Sequence, residues 1–161
     1  NITSVGGKIY TPFGAWYHAT KHALEGWSDS LRLEMKEFGV EVVIIEPGAI
    51  KTEFGDVMYQ PMLDRAVGTA YESTATALAD VTIGTYEKPG AASDPSVIGL
   101  TISKAIKAAR PKTRYASGKM ARTVLFMRRW LSDRGFDKMI LGQIKRWQKN
   151  AKSPKKATAK A

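Results

Sequence analysis

From Ala15 to Phe38 the apolar residues Trp16, Ala19, Ala23, Trp27, Leu31, Met35 and Phe38 recur at steps of three and four, and Leu24 widens the stripe. That period predicts one long helix, with Gly39 as its stop. The next run, Val40 to Glu46, is nearly continuous and β-branched, which predicts a strand buried on both faces of a parallel sheet and ending at Pro47-Gly48. Ahead of the helix, Thr11-Pro12-Phe13-Gly14 reads as a loop. Farther on, Met58 to Ile83 is mainly helical in character, and Glu87 to Pro95 is turn-rich. Asp94 caps a predicted helix from Pro95 to about Ala109, with proline at its first position. Thr113 to Ala116 suits a short last strand. Apolar residues alternate with arginine and lysine from Lys119 to Lys149, which predicts two helices broken near Asp133 to Gly135.

Helix, strand and Pro-Gly break form the tail of an α/β unit, and open parallel sheets bind ligands beyond the carboxyl ends of their strands. Ser4 and the Pro47-Gly48 segment both belong at that edge. The expected organisation is a partial sheet domain over residues 1–118, basic helices packed on it over 119–149, and a disordered Lys/Ala tail over 150–161. The chain opens at Asn1 without an initiator Met and with no complete strand before Gly6-Gly7, so it reads as a fragment.

Composition narrows the chemistry. The 161 residues are 43% hydrophobic and 25% charged, ordinary for a globular domain. Without cysteine there is neither disulfide nor thiolate chemistry, and His18 and His22 are too few for a zinc site, so no metal is expected. No apolar run reaches the roughly 20 residues that span a bilayer, and no signal pattern is visible; a cytoplasmic location is the expectation. The net charge of +10 is concentrated at one end: residues 119–161 hold 13 Lys and Arg against 2 Asp and Glu.

The candidate chemistry lies in Trp16 to Lys21, WYHATK, where Tyr17 and Lys21 share a helix face. A free tyrosine has a pKa of about 10, and a nearby ammonium favours the phenolate. Tyr17 could then take a proton from a substrate hydroxyl, or return one, while Ser4 bonds the same oxygen. Singly, each residue has a plainer reading: an interface tyrosine, a solvated lysine, a turn serine.

In order, Ser4, Tyr17-x-x-x-Lys21, a buried strand and Pro47-Gly48-Ala49-Ile50-Lys51-Thr52 resemble the second half of the short-chain dehydrogenases/reductases. The wider wording through Phe54 resembles the subgroup related to 17-beta-hydroxysteroid and retinol dehydrogenases. The resemblance implies an α/β fold, the C-terminal portion of a Rossmann-type doubly wound parallel sheet with its N-terminal half absent. It implies catalytic Ser4, Tyr17 and Lys21, and a cofactor, NAD or NADP. Lys21 and Tyr17 would contact that cofactor's nicotinamide side, Ile50 through its backbone and Thr52 through its hydroxyl would hold the carboxamide, and Pro47 and Gly48 would shape the turn. The family's glycine-rich turn and tetrad asparagine have no counterpart here, so the chain alone is expected to bind the cofactor poorly, to be marginally folded and to be inactive. The substrate implied is a hydrophobic secondary alcohol or its ketone, under a lid of roughly residues 53–90 that includes Phe54, Val57, Met58, Tyr59, Met62 and Leu63. Resemblance also makes the long helix a subunit face, so a homo-oligomer is expected for the full-length protein.

The main alternative is a non-catalytic half-domain whose basic C-terminus binds nucleic acid or an anionic membrane, and a hydrolase is a second. Ser4 and Lys21 could form a serine–lysine hydrolase, which leaves Tyr17 and the Pro-Gly segment unexplained. The basic end could neutralise phosphates, though it carries no base-reading geometry, so specific nucleic-acid binding is not expected. The stretch from Val124 to Trp147 could lie on an anionic membrane as a peripheral contact, or pack over the domain, which is the preferred reading. His18 and His22 read as helix-surface or interface residues, and Trp16 and Trp27 as packing residues.

Overall fold

The computed structural model describes residues 1–86 and 89–152. Its centre is a parallel ladder in which β1 (Ile44–Pro47) pairs with β2 (Arg114–Ser117), Ile44 opposite Arg114 and Pro47 opposite Ser117. The opposite edge of β1 is taken by the first residues of the chain: Ile2 bridges Ile45 in parallel, and Thr3 N–H donates to the Ile45 carbonyl at 2.9 Å. Partners on both sides explain why Ile44, Ile45 and Glu46 are all buried. The strand begins later than the β-branched run suggests. Val40 N–H turns back to the Met35 carbonyl and closes the preceding helix, and pairing starts where Thr113 offers its carbonyl to Ile44.

Helix α1 (Ala15–Glu34) is followed by a 3-10 turn over Met35–Phe38, and Gly39 ends it in the left-handed conformation at φ 69°. Glycine adopts that conformation without a Cβ penalty. The face that α1 buries differs from the one its apolar stripe suggests. His18, Glu25 and Ser28 are buried, whereas Trp16 is 87% exposed and Trp27 56%. Reading the two tryptophans as packing residues is therefore corrected: among the described residues they lie on the outer face. The inner face is polar because its groups are paired, as the site below shows.

The stretch expected to be broadly helical over 58–83 is two helices, α2 (Phe54–Ala66) and α3 (Glu72–Tyr86). Between them Gly68 takes φ 71°, and Glu72 Oε2 accepts from Gly68 N–H at 3.0 Å. Ala75, Ala77, Ala79 and Thr82 are buried on α3. Such small residues let α2 and α6 (Asp133–Lys152) approach it closely. Helix α4 (Ser96–Lys107) starts as the sequence suggests, with Asp94 Oδ1 accepting from Ser96 N–H at 2.8 Å. Helix α5 (Ala121–Trp130) is separated from α6 by Leu131 and Ser132, slightly before the expected break.

The basic C-terminal segment is part of the packing. Phe136 is fully buried, with the Tyr10 ring edge-on at 5.2 Å and the Arg128 guanidinium 5.6 Å from its centroid. Helix α6 continues to Lys152, into the stretch expected to be disordered, and residues 153–161 lie outside the described residues. No described helix is long and apolar enough to cross a membrane.

Candidate active site

Ser4 follows the extended Asn1–Thr3 segment at the carboxyl end of its pairing with β1 and opens a 3-10 turn over Val5–Gly7. Its Oγ accepts from Gly6 N–H at 3.0 Å, which leaves the hydroxyl proton free to be donated. Gly6 is the pivot of the site. A Cβ there would lie 2.7 Å from Tyr17 Cε1, 3.3 Å from Ser4 Oγ and 3.4 Å from His18 Nδ1. One glycine thus brings the serine, the tyrosine ring and a buried histidine together, and any side chain would push them apart.

Tyr17 projects from the first turn of α1 and is half-buried. Its ring lies 5.3 Å from Phe54 and 5.4 Å from His18, and its hydroxyl bonds to no described residue. Among the described residues no buried side-chain polar atom lacks a partner, so that hydroxyl is not sealed from solvent. One turn on, Lys21 Nζ donates to the Ile2 carbonyl at 3.4 Å, holding its ammonium against the segment that carries Ser4. Ser4, Tyr17 and Lys21 therefore meet at one sheet edge.

His18 corrects its reading as a surface residue: it is 8% exposed. Thr11 N–H donates to Nε2 at 3.0 Å, so that nitrogen is unprotonated, and Nδ1–H donates to the Gly6 carbonyl at 2.9 Å. The neutral ring ties both ends of the loop 6–11 to the helix that carries Tyr17. His22, whose Nδ1 lies 2.8 Å from the His18 carbonyl, is exposed.

On the other side, Pro47 closes the ladder and Gly48 N–H donates to the Ser117 carbonyl at 2.8 Å. A Cβ at Gly48 would stand 2.2 Å from the Lys119 carbonyl oxygen, so the turn entering α5 requires glycine there. Ile50 bridges Ser93 in parallel through bonds made by its neighbours, Ser93 N–H to the Ala49 carbonyl and Lys51 N–H to the Ser93 carbonyl. In that pattern the N–H and C=O of Ile50 itself point away from Ser93. Thr52 Oγ1 accepts from Phe54 N–H at 3.3 Å and lines a cavity of about 510 Å³ with Lys51, Gly55, Tyr59, Thr82 and Tyr86. The Ile50 backbone edge and the Thr52 hydroxyl, beside the glycine-shaped turn at Gly48, are donors and acceptors of the kind that could hold a carboxamide.

Tyr86 had no motif to mark it. Its ring is 6.4 Å from Phe54, so Tyr17, Phe54 and Tyr86 form an aromatic row that ends at the cavity, which Tyr86 lines. Burial pushes the Tyr86 hydroxyl above the ordinary tyrosine range, and neighbouring Tyr17 adds to the effect. Of the expected lid, Phe54 meets Tyr17 and Tyr59 lines the cavity, while Val57 is 71% exposed.

Behind the site lies a charge cluster. Glu25, one turn beyond Lys21, is 3% exposed; it accepts from Thr3 Oγ1 at 2.5 Å, from Arg114 Nε and Nη2 at 3.1 and 3.0 Å, and pairs with Lys8 at 3.0 Å. Arg114 also bonds Asp29 at 2.6 Å and faces Glu46 at 3.6 Å. The Arg114 hydrogen bond holds the Asp29 carboxyl below its usual range, whereas desolvation, and then the Glu25 charge, push Glu46 up. The cluster joins α1, both strands and the segment before Ser4.

Residues 1–62 match the family model described as short chain dehydrogenase. An oxidoreductase of Escherichia coli (strain K12), YbbO, is 33% identical over 144 residues, covering 87% of this chain and 46% of that protein. A probable short-chain type dehydrogenase/reductase of Helicobacter pylori, VdlC, is 31% identical over 142 residues, covering 87% of this chain and 50% of that protein. The chain thus spans about half the length of these curated relatives. A crystal structure of a short-chain dehydrogenase from Streptomyces avermitilis superposes with TM-score 0.58 at 26% identity, covering 94% of this chain and 50% of that one. The fold is accordingly α/β and of the Rossmann-like kind found in that enzyme.

Proposed function

We propose, from a chain of short-chain dehydrogenase type, that it supplies the proton-transfer and nicotinamide-side residues of an NAD(P)-dependent oxidoreductase. The reaction interconverts a hydrophobic secondary alcohol and its ketone, as the resemblance to hydroxysteroid and retinol dehydrogenases implies. The observation that carries this reading is the convergence of Ser4 and Tyr17 on Gly6, with Lys21 held beside them by the Ile2 carbonyl. The nicotinamide, when bound, accepts or delivers the hydride.

The chain's own residues do the rest. Tyr17 takes the proton of the substrate hydroxyl, or returns it to the carbonyl oxygen in reduction, and its hydroxyl, not sealed from solvent, is free for that contact. Ser4 donates to the same oxygen, since its acceptor side is occupied by Gly6 N–H. Lys21 sets a positive charge one turn below the atom on which phenolate charge develops, and would hold the nicotinamide ribose. Ile50 offers its backbone edge and Thr52 its hydroxyl to the carboxamide. His18 keeps the serine loop and the tyrosine helix in register. The contacting rings Tyr17, Phe54 and Tyr86 run from the catalytic tyrosine to the cavity that Tyr86 lines and offer apolar surface to a hydrophobic substrate.

The test is a comparison of reaction classes on one preparation of the full-length protein. Reduction of a panel of apolar ketones by NADH, NADPH and reduced nicotinamide mononucleotide is followed by nicotinamide absorbance, alongside hydrolysis of matched esters. Nicotinamide-dependent turnover that tracks Tyr17 supports the proposal. Ester hydrolysis that needs Ser4 and Lys21, proceeds without nicotinamide and survives Tyr17→Phe would replace it with the hydrolase.

A further inference from the structure

We propose that the cavity along the free edge of β2 is an anion site for a small molecule carrying two or more phosphate groups. The site is separate from the cavity beside Thr52 and does not depend on the hydride-transfer reading. Its volume is about 520 Å³, and its lining includes Lys104, Arg110, Lys112, Arg114 and Arg122 with no carboxylate. Among the described residues only Arg114 of these is compensated, by Glu25 and Asp29 on the α1 side and by Glu46 on β1. The side chains of Lys104, Arg110, Lys112 and Arg122 make no ion pair with any described residue. Like charges gathered round one concavity repel, and an anion seated among them turns that repulsion into attraction.

The strand explains how the cations converge. Pairing with β1 uses one edge of β2, and no described strand takes the other. Alternation sends Arg114 towards α1 and Ser117 towards α4, where its Oγ lies 2.7 Å from Thr101 Oγ1. The lining therefore wraps the open edge from both faces and adds two hydroxyls to the charges. Guanidinium groups suit phosphate because their planar forks donate two bonds at once. Four unpaired cations spread along the cavity match two linked phosphates better than one.

The competing account is that these charges only keep the open edge from pairing with another strand. Calorimetric titration of the whole chain with inorganic pyrophosphate separates the two. The expected result is saturable binding of one pyrophosphate per chain, weakened by rising salt and at least about tenfold by Arg110→Ala with Lys112→Ala. A control pair, Lys138→Ala with Lys145→Ala on α6, removes the same charge elsewhere and leaves the affinity within about twofold. Absence of saturable binding, or equal weakening by both pairs, would overturn the proposal and leave edge protection. Vesicles with a diphosphorylated lipid headgroup identify the source. Sedimentation reversed by free pyrophosphate assigns a lipid-borne ligand, and no sedimentation with pyrophosphate binding intact assigns a soluble one.

Discussion

Two glycines decide more about the site than any charged residue. At Gly48 an added methyl would meet the backbone oxygen of Lys119 at 2.2 Å, and a backbone atom cannot rotate away. Gly48→Ala should therefore cost at least the 1–3 kcal/mol or so typical of overpacking, read as a lower midpoint in urea denaturation; an unchanged midpoint would show that the turn into α5 yields. At Gly6 the clash is with the Tyr17 ring, so Gly6→Ala should impair catalysis more than folding. Ser4, Tyr17 and Lys21 stood out in the sequence through their ordered resemblance to a family motif, and the fold brings them to one sheet edge. Their neighbours did not stand out. His18 looks like a surface histidine until the loop 6–11 folds over it, and Tyr86 reaches the aromatic row only through the packing of α2 and α3.

Among the elements, α1 shows how a polar face can be the inner one. Its period marked a helix correctly, but hydrophobicity pointed outward because Glu25 and Asp29 are satisfied by Arg114 from β2, a partner no local pattern reveals. Glu25→Gln removes the carboxylate that pairs with Lys8 and one of the three around Arg114, and should destabilise by about 1.5–3 kcal/mol in chemical denaturation. A loss below about 1 kcal/mol would mean that the cluster is no stronger than a surface pair. The cluster also sets a pH dependence. Asp29, with its folded pKa depressed, contributes stability that is present above its ordinary value of 3.8 and lost as pH falls through the folded value. Glu46, with its folded pKa raised, contributes stability that is full below its ordinary 4.5 and lost as pH rises through the folded value. Both contributions are therefore complete only between these two ordinary values. In Glu46→Gln the decline on the alkaline side should flatten in thermal melts run as a pH series; a melt series parallel to wild type would contradict the assignment.

Across the whole molecule, parallel pairing, helix order and the packing of the basic end follow from the apolar pattern, because strands and amphipathic helices announce their own period. What pattern could not show is which surfaces are left over. The apolar stripe of α1 faces outward, with Trp16 87% and Trp27 56% exposed, and the homo-oligomer proposed for the full-length protein would use it. Trp27→Glu should then lower the mass seen by light scattering, and an unchanged mass would remove that face from the interface. The central claim of the proposed function is that Tyr17 transfers the proton in a nicotinamide-dependent reaction. The direct measurement is kcat/KM for nicotinamide-dependent ketone reduction by the full-length protein, wild type and Tyr17→Phe, a change that keeps the ring contacts with Phe54 and His18 and removes only the hydroxyl. A loss of at least about 100-fold is predicted; turnover within a few-fold of wild type would contradict the account.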